Sequence, residues 1–416
     1  MASILFWWRR LSKSLSARAG AFAVFALLSA FASFWLAPLV PDGWTEILGH
    51  EALLEILKIV ASSMLVVATF SLATLVNAYA AASDGVTPRA ARLLLQDESS
   101  QNSISIFLGA FIFSIVAIVA VTTGFYGPRE KVVIFLLTAG LIAAIVWTLI
   151  RWIERLSRLG RVHDTIVHIE KSTESALLRL AESPTYGCRD HSEFPVEDWR
   201  VHSSKAGFIQ NISFRSLQAK AAREDLQIKV QVPPGSFVVP GQAILSICGK
   251  STKELAEGFE ESFEIETCRS HDEDPRFGFV TLGEVASRAL SPALNDPGTA
   301  IDVIYSSVRI LCKWAATPKR ESYQFDRLFI RPWNVAKVLD DLFQPLSRDG
   351  AGHIEVVIHM LRGLGHISKM GDGDLAQAAS CYIQLVKARA LSSLPDDFDR
   401  NLLAQFRLED QNRILA

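Results

Sequence analysis

The sequence predicts a membrane α-helical protein with four transmembrane helices and a cytoplasmic α+β part, in which a small β barrel-sandwich-like domain precedes an α-helical domain. Three observations carry that expectation. Apolar stretches crowd residues 1–153, short alternating runs with turn residues lie between Ala206 and Gly249, and helical periodicity returns from residue 252 onward. The 416-residue chain is 50% hydrophobic, and nearly all the excess lies before Arg151. Its formal charge of −2 argues against a nucleic-acid partner and sends the search for electrostatic partners to local clusters.

A hydrocarbon core needs about 20 consecutive helical residues. Ala19–Val40, Leu54–Ala80, Ile104–Tyr126 and Val132–Ile153 meet that length, and Trp7, Trp8, Trp35, Trp44, Tyr79, Tyr126, Trp147 and Trp152 gather near their ends as an interfacial belt. Basic residues give the orientation. Arg9, Arg10, Lys13 and Arg18 precede the first span, Arg89 and Arg92 lie between the second and third, and Arg151, Arg155, Arg158 and Arg161 follow the fourth. The connection Pro41–Leu53 carries acids and no Lys or Arg, so both termini are expected in the cytoplasm. The small residues of "SAFAS" could suit signal cleavage, but the apolar stretch is longer than a signal h-region, so the segment reads as a retained anchor.

The second span carries Ser62, Ser63, Thr69, Ser71, Thr74 and Asn77 among leucines and valines. Such a stripe suits either close helix packing or the wall of a polar path, for which Ser62, Thr69 and Asn77 are the candidate lining. No Asp, Glu or Arg sits at the middle of any span, which argues against a proton relay or charge-coupled pump.

Residues 154–185 read as a connecting amphipathic helix, with Leu156, Leu159, Val162, Ile166 and Ile169 at three- and four-residue spacing. His163 and His168 on this helix are five apart, which separates their rings around the axis. Residues 186–251 form the expected β-domain, from the runs "AGFIQNISF", "LQIKVQV" and "QAILSI" and the turn-rich "VPPGSFVVPG". Residues 252–416 form the α-helical domain, with one helix opened by "HDEDPRFGFVTLGEVASRAL" and others expected at Gly298–Ala315, Pro332–Pro345, Gly352–His366 and Asp374–Leu394. Cys188, Cys248, Cys268, Cys312 and Cys381 show no C-x-x-C spacing and read as idle thiols, although "CRDH" places Cys188 near His191. His353, His359 and His366 share one helix at spacings unsuited to a ligand pair, so no metal site is expected.

Two resemblances follow from these strings. The order "GFIQNI … IKVQVPPGSFVVPGQAILSI" resembles the strand pattern of biotinyl/lipoyl-type barrel-sandwich domains, but no lysine occupies the hairpin turn, so no prosthetic group is implied. "TPRAARLLLQDESSQNSISIFLGAFIFSIVAIV", "DPRFGFVTLGEVASRALSPALNDPGTAIDVI" and the order of parts resemble a bacterial family of membrane proteins, domain of unknown function 2254. That resemblance covers nearly the whole chain and implies an architecture in a bacterial inner (plasma) membrane, with no reaction attached.

Its most specific string, Arg288–Asp302, has its own local chemistry. Pro292 ends the incoming helix, Asn295 suits a left-handed turn, and Asp296 before Pro297 is an N-cap followed by a first-turn proline. The same atoms offer an alternative, a ligand site of Arg288, Asn295, Asp296, Gly298 and Thr299 in which helix amides meet an anion.

No G-x-S-x-G, H-E-x-x-H or P-loop string is present, so no catalytic residue and no cofactor are expected. Two function classes stand ahead of a membrane-bound enzyme. One is an oligomeric channel- or transporter-like protein regulated by its cytoplasmic domain, with the lipid bilayer, further copies of itself and a small ion or anionic ligand as partners. The other is a membrane-anchored binding or scaffold module with no transport activity.

Overall fold

The computed structural model describes residues 20–21, 24, 28–29, 32–41, 50–85, 87–90, 98–124, 126–156, 161–249, 258–318, 323–370 and 373–406. Its contacts divide the chain into two compact units, Met1–Gly85 with Ala91–Arg161, and Val86–Ala90 with Val162–Ala416.

The first unit is built from α1 (His50–Gly85), α2 (Glu98–Thr122) and α3 (Pro128–Leu156). They contain three helices long and apolar enough to cross a membrane, over Glu51–Ala80, Asn102–Thr122 and Pro128–Leu156. The first span expected from the sequence, Ala19–Val40, lies largely outside the described residues; within it residues 32–36 are helical and Ala37–Leu39 forms a 3-10 turn. Val60, Met64, Ala68 and Leu75 of α1 share one core with Ile104, Phe107 and Ala110 of α2, while Leu53 and Leu57 share another with Phe113, Ala117 and Val121. The two helices therefore run antiparallel. Ile59, Val66, Phe70, Val119 and Trp147 are left exposed, as lipid-facing side chains must be.

The second unit opens with α4 (Val162–Glu182), whose Ile166, Ile169, Thr173, Ala176, Leu177 and Leu180 form a buried stripe at three- and four-residue spacing. The expected connecting helix over 154–185 is thus divided between α3 and α4, with residues 157–160 outside the described set.

Among the described residues, eight strands follow. β1 (Cys188–Asp190), β8 (Phe325–Ile330), β4 (Gln227–Val230), β6 (Ala243–Cys248) and β2 (Trp199–His202) make a five-stranded sheet in that order, and β5 (Phe237–Val238), β3 (Gly207–Ile212) and β7 (Phe263–Glu266) make a three-stranded one. β8 runs parallel to both β1 and β4, whereas β4–β6 and β6–β2 are antiparallel.

This corrects the barrel-sandwich expectation. Its strands are present as β3, β4 and β6, but β3 belongs to a different sheet from the other two. Helix α5 (Phe214–Arg223) lies between β3 and β4, burying Leu217 and Ala221, and β8 arrives from about a hundred residues further along to pair in parallel with β4. Adjacent hairpins cannot produce a parallel pair, so the sheet needs a distant segment that local periodicity does not announce.

The remaining helices are α6 (Pro275–Ala289), α7 (Pro297–Ala316), α8 (Lys337–Asp349), α9 (Ile354–Ile367), α10 (Gly373–Ser393) and α11 (Asp397–Gln405). α6, α7, α9 and α10 match the expected positions closely, but the helix expected at Pro332–Pro345 begins later and contains Pro345 inside α8. Residues 331–334 are instead a largely exposed connection leaving β8. The α7 surface is tied to α4 by Arg309 to Glu170 at 2.8 and 2.6 Å and by Lys313 to Glu174 at 2.6 Å. Gly278 in α6 lies so close to Thr173 in α4 that an added methyl would overlap its hydroxyl, which lets these two helices approach at backbone distance.

Candidate functional site

The carboxyl ends of the three parallel strands lie side by side. Asp190 of β1 and Val230 of β4 are both in register with Ile330 of β8, so the chain leaves the sheet at one level as His191, Gln231 and Arg331. In open α/β sheets this edge is where ligands bind, because the departing loops create a crevice that the sheet itself does not fill. Here the crevice is a cleft of about 500 Å³ lined by all three departures.

Its opposite side is made by two other segments. The turn Pro233–Ser236 crosses it, with Gly235 at φ +85° donating its amide to the carbonyl of Ile209 at 2.8 Å. A side chain at Gly235 would overlap the Asp274 carboxylate, so the turn is seated on that acid. Asp274 is buried, caps α6 by accepting from the Phe277 amide at 3.2 Å, and accepts from Arg269 Nε at 2.7 Å. Burial pushes its carboxyl above the usual range, opposed by the Arg269 guanidinium beside it.

The charges lining the cleft are lopsided. Arg269 is neutralised by Asp274, and Arg276 by a bidentate pair with Asp341 at 2.7 and 2.8 Å. Lys229, Arg331 and Lys337 also line it, and among the described residues none of the three has an acidic partner within ion-pair distance. Lys229 lies over the Phe194 ring at 5.7 Å. Three cations outside any ion pair, one of them (Lys229) with the Glu197 carboxylate in electrostatic range, give the cavity a positive field that a low-dielectric wall focuses, which suits an anion.

Aromatic side chains complete the lining. Tyr186 holds a left-handed backbone at φ +56°, rare for a bulky residue, and its ring stacks on Phe214 with centroids 5.4 Å apart. Burial, with Asp274 and Glu273 nearby, raises its phenol well above the ordinary value. Trp333 is half-buried, lies 5.4 Å from Trp314, and donates its amide to the Pro184 carbonyl at 2.8 Å.

The sites expected from the sequence lie elsewhere. Asn295 adopts φ +47°, and its amide and that of Asp296 close the turn onto Ser291 and Ala289 at 2.9 and 2.8 Å. The Asp296 carboxylate accepts from the Thr299 amide at 3.1 Å and from the Thr299 hydroxyl at 2.6 Å, so it already fills the first turn of α7. Gly298 is exposed beside it, and Arg288 lies in the last turn of α6. None of these five residues lines the cleft.

On α1, Ser62, Thr69 and Asn77 are exposed, and the two hydroxyls donate to their own helix, Ser62 to Ile59 at 3.1 Å and Thr69 to Val66 at 2.9 Å. Cys188 is buried in the sheet core and burial pushes its thiol up to about 12, while His191 lies 3.1 Å from Asp190. No group of three metal-ligating side chains occurs among the described residues.

The cleft residues escape a reading of the sequence for a specific reason. "LQIKVQV" and "VPPGS" are legible as strand and turn, but taking Pro332 as a helix start hides Arg331 and Trp333. The signal that finds them is the run "FDRLFI" ahead of "RPWN", a short segment closing in three consecutive apolar residues before Arg331 and Pro332.

Long apolar helices joined in one chain to an α/β unit with a cationic cleft define the class, an integral membrane protein with a second folded unit. More particularly, the chain belongs to the family described as predicted membrane protein, domain of unknown function 2254, whose profile matches residues 12–366. It is also similar to an uncharacterized protein of Mycobacterium bovis and one of Mycobacterium tuberculosis, each 25% identical over 264 residues, which is 60% of this chain and 48% of the relative. The chain thus spans about half the length of the curated relatives it matches. No solved structure matches it.

Proposed function

We propose that this protein is a bacterial inner-membrane protein, with both termini cytoplasmic, whose second unit binds a small anionic ligand in the cleft at the ends of β1, β8 and β4. The observation that carries this reading is the convergence of Lys229, Arg331 and Lys337, without acidic partners among the described residues, on a cavity at the edge where parallel sheets bind ligands. The cytoplasmic placement rests on the basic residues flanking the spans.

Binding to the folded state alone raises the unfolding temperature by mass action. Full-length protein in detergent, heated with increasing pyrophosphate, is expected to unfold later. The triple variant Lys229→Gln, Arg331→Gln, Lys337→Gln is expected to show no such shift while keeping its unliganded unfolding temperature. An equal shift in both proteins would remove the cleft as the site.

A second reading is favoured by one further observation. Ser62, Thr69 and Asn77 are all exposed and fall within an arc of about 80° on α1, the step of seven closing two turns to within about 20° and the step of eight turning about 80° past them. With their hydroxyl protons bonded to the helix, Ser62 and Thr69 present only acceptor oxygens outward. Copies facing one another across this stripe would form a path for a small solute or ion, regulated by the cleft. Flux through liposomes that Ser62→Leu and Asn77→Leu abolish supports that path; absence of flux with and without pyrophosphate leaves the binding module alone.

A further inference from the structure

We infer that the anion taken by the cleft is a nucleoside polyphosphate, its ring lying against the aromatic lining that Tyr186 and Trp333 supply and its phosphates on Lys229, Arg331 and Lys337; this rests on the anion-binding reading above. The first argument is size. A volume of about 500 Å³ is within the range of roughly 300–1,000 Å³ that holds organic ligands, and an inorganic oxyanion would leave most of it empty. The ligand therefore brings a body as well as a charge.

The second argument is the division of the lining. Tyr186 and Trp333 both line the cleft, on segments tied by the hydrogen bond from the Trp333 amide to the Pro184 carbonyl at 2.8 Å, with Tyr186 backed by Phe214 and Trp333 by Trp314. Tyr186 is held there at the conformational cost of φ +56°, and strain of that kind persists where surrounding structure imposes it, commonly at ligand clamps. A flat, polarizable ring gains most from such a lining, and base-on-aromatic stacking is tolerant of which base it is.

The third argument is charge number. Arg269 and Arg276 are already neutralised by Asp274 and Asp341, which leaves Arg331 and Lys337, and Lys229 with only the more distant Glu197 near it, to be matched. A single carboxylate leaves most of that charge uncompensated, whereas a diphosphate supplies close to three negative charges through several acceptor oxygens. Arg331 offers the fork geometry that engages two phosphate oxygens, and the lysines act as point charges beside it.

The test is titration of the full-length protein in detergent with ADP, GDP, pyrophosphate and adenosine, followed by calorimetry and tryptophan emission. ADP and GDP are expected to bind about tenfold or more tighter than pyrophosphate, with adenosine weaker than either. Trp333→Ala is expected to bring ADP down to within a factor of about two of pyrophosphate, both measured in that same variant. Trp333→Phe, which keeps a ring and guards against a folding defect, is expected to retain most of the preference. Equal affinity for ADP and pyrophosphate would overturn this inference and leave the anion-binding reading standing. Binding of none of the phosphates would overturn both.

Discussion

At the scale of single residues, the account depends on which charges are satisfied. Asp341 neutralises Arg276 through two bonds at 2.7 and 2.8 Å, so Asp341→Ala leaves a half-buried guanidinium without its acceptor. The expected cost is about 1–3 kcal/mol of stability in chemical denaturation, accompanied by tighter pyrophosphate binding because a fourth cation becomes free. His271 supplies a pH dependence. It is buried, its Nε2 lies 3.1 Å from the Thr281 hydroxyl, and burial, together with Arg269 and His168, pushes it down to about 4. The native state therefore keeps it neutral while the unfolded chain takes up a proton below about 6.5, so stability is full above that pH and falls as pH drops toward 4, by at most about 1.4 kcal/mol per unit. Unfolding followed between pH 7 and pH 4.5 is expected to show this slope in the wild type and a shallower one in His271→Gln. Neither feature is legible in the sequence, since Asp341 and His271 look like any acid and histidine until the fold brings Arg276 and Thr281 to them.

At the scale of elements, local chemistry reads well from the sequence and long-range pairing does not. Asn295, Asp296 and Pro297 are recognisable as a break and restart because each has an intrinsic backbone preference, and the structure places them at φ +47°, at the N-cap and in the first turn of α7. Asp296→Ala is expected to cost about 1 kcal/mol in thermal or chemical unfolding, with no effect on pyrophosphate binding. A loss of binding in that variant would reinstate the turn as a ligand site. The sheet behaves differently. β8 pairs with β1 and β4 across separations that no periodicity encodes, and α5 intervenes between strands that look like one hairpin array. Gly278 is a similar case: its helix is visible in the sequence, but its approach to Thr173 is not. Gly278→Val is expected to force α6 from α4 and to destabilise the second unit by about 1–3 kcal/mol.

At the scale of the whole molecule, hydropathy carries most of the prediction. Three long apolar helices stand where three of the expected spans lie, because about 20 apolar residues between polar ends have few other stable solutions. What hydropathy cannot encode is the cleft of the second unit, where residues as far apart as Tyr186, Lys229, Arg269 and Trp333 meet at one sheet edge. The central claim is that this edge binds a polyanion, and direct calorimetric titration of pyrophosphate into the full-length protein tests it. Saturable binding is expected that weakens with added salt and that falls by about tenfold or more in Arg331→Ala with Lys337→Ala. Absence of saturable binding at low salt, or an unchanged affinity in the double variant, would contradict the account.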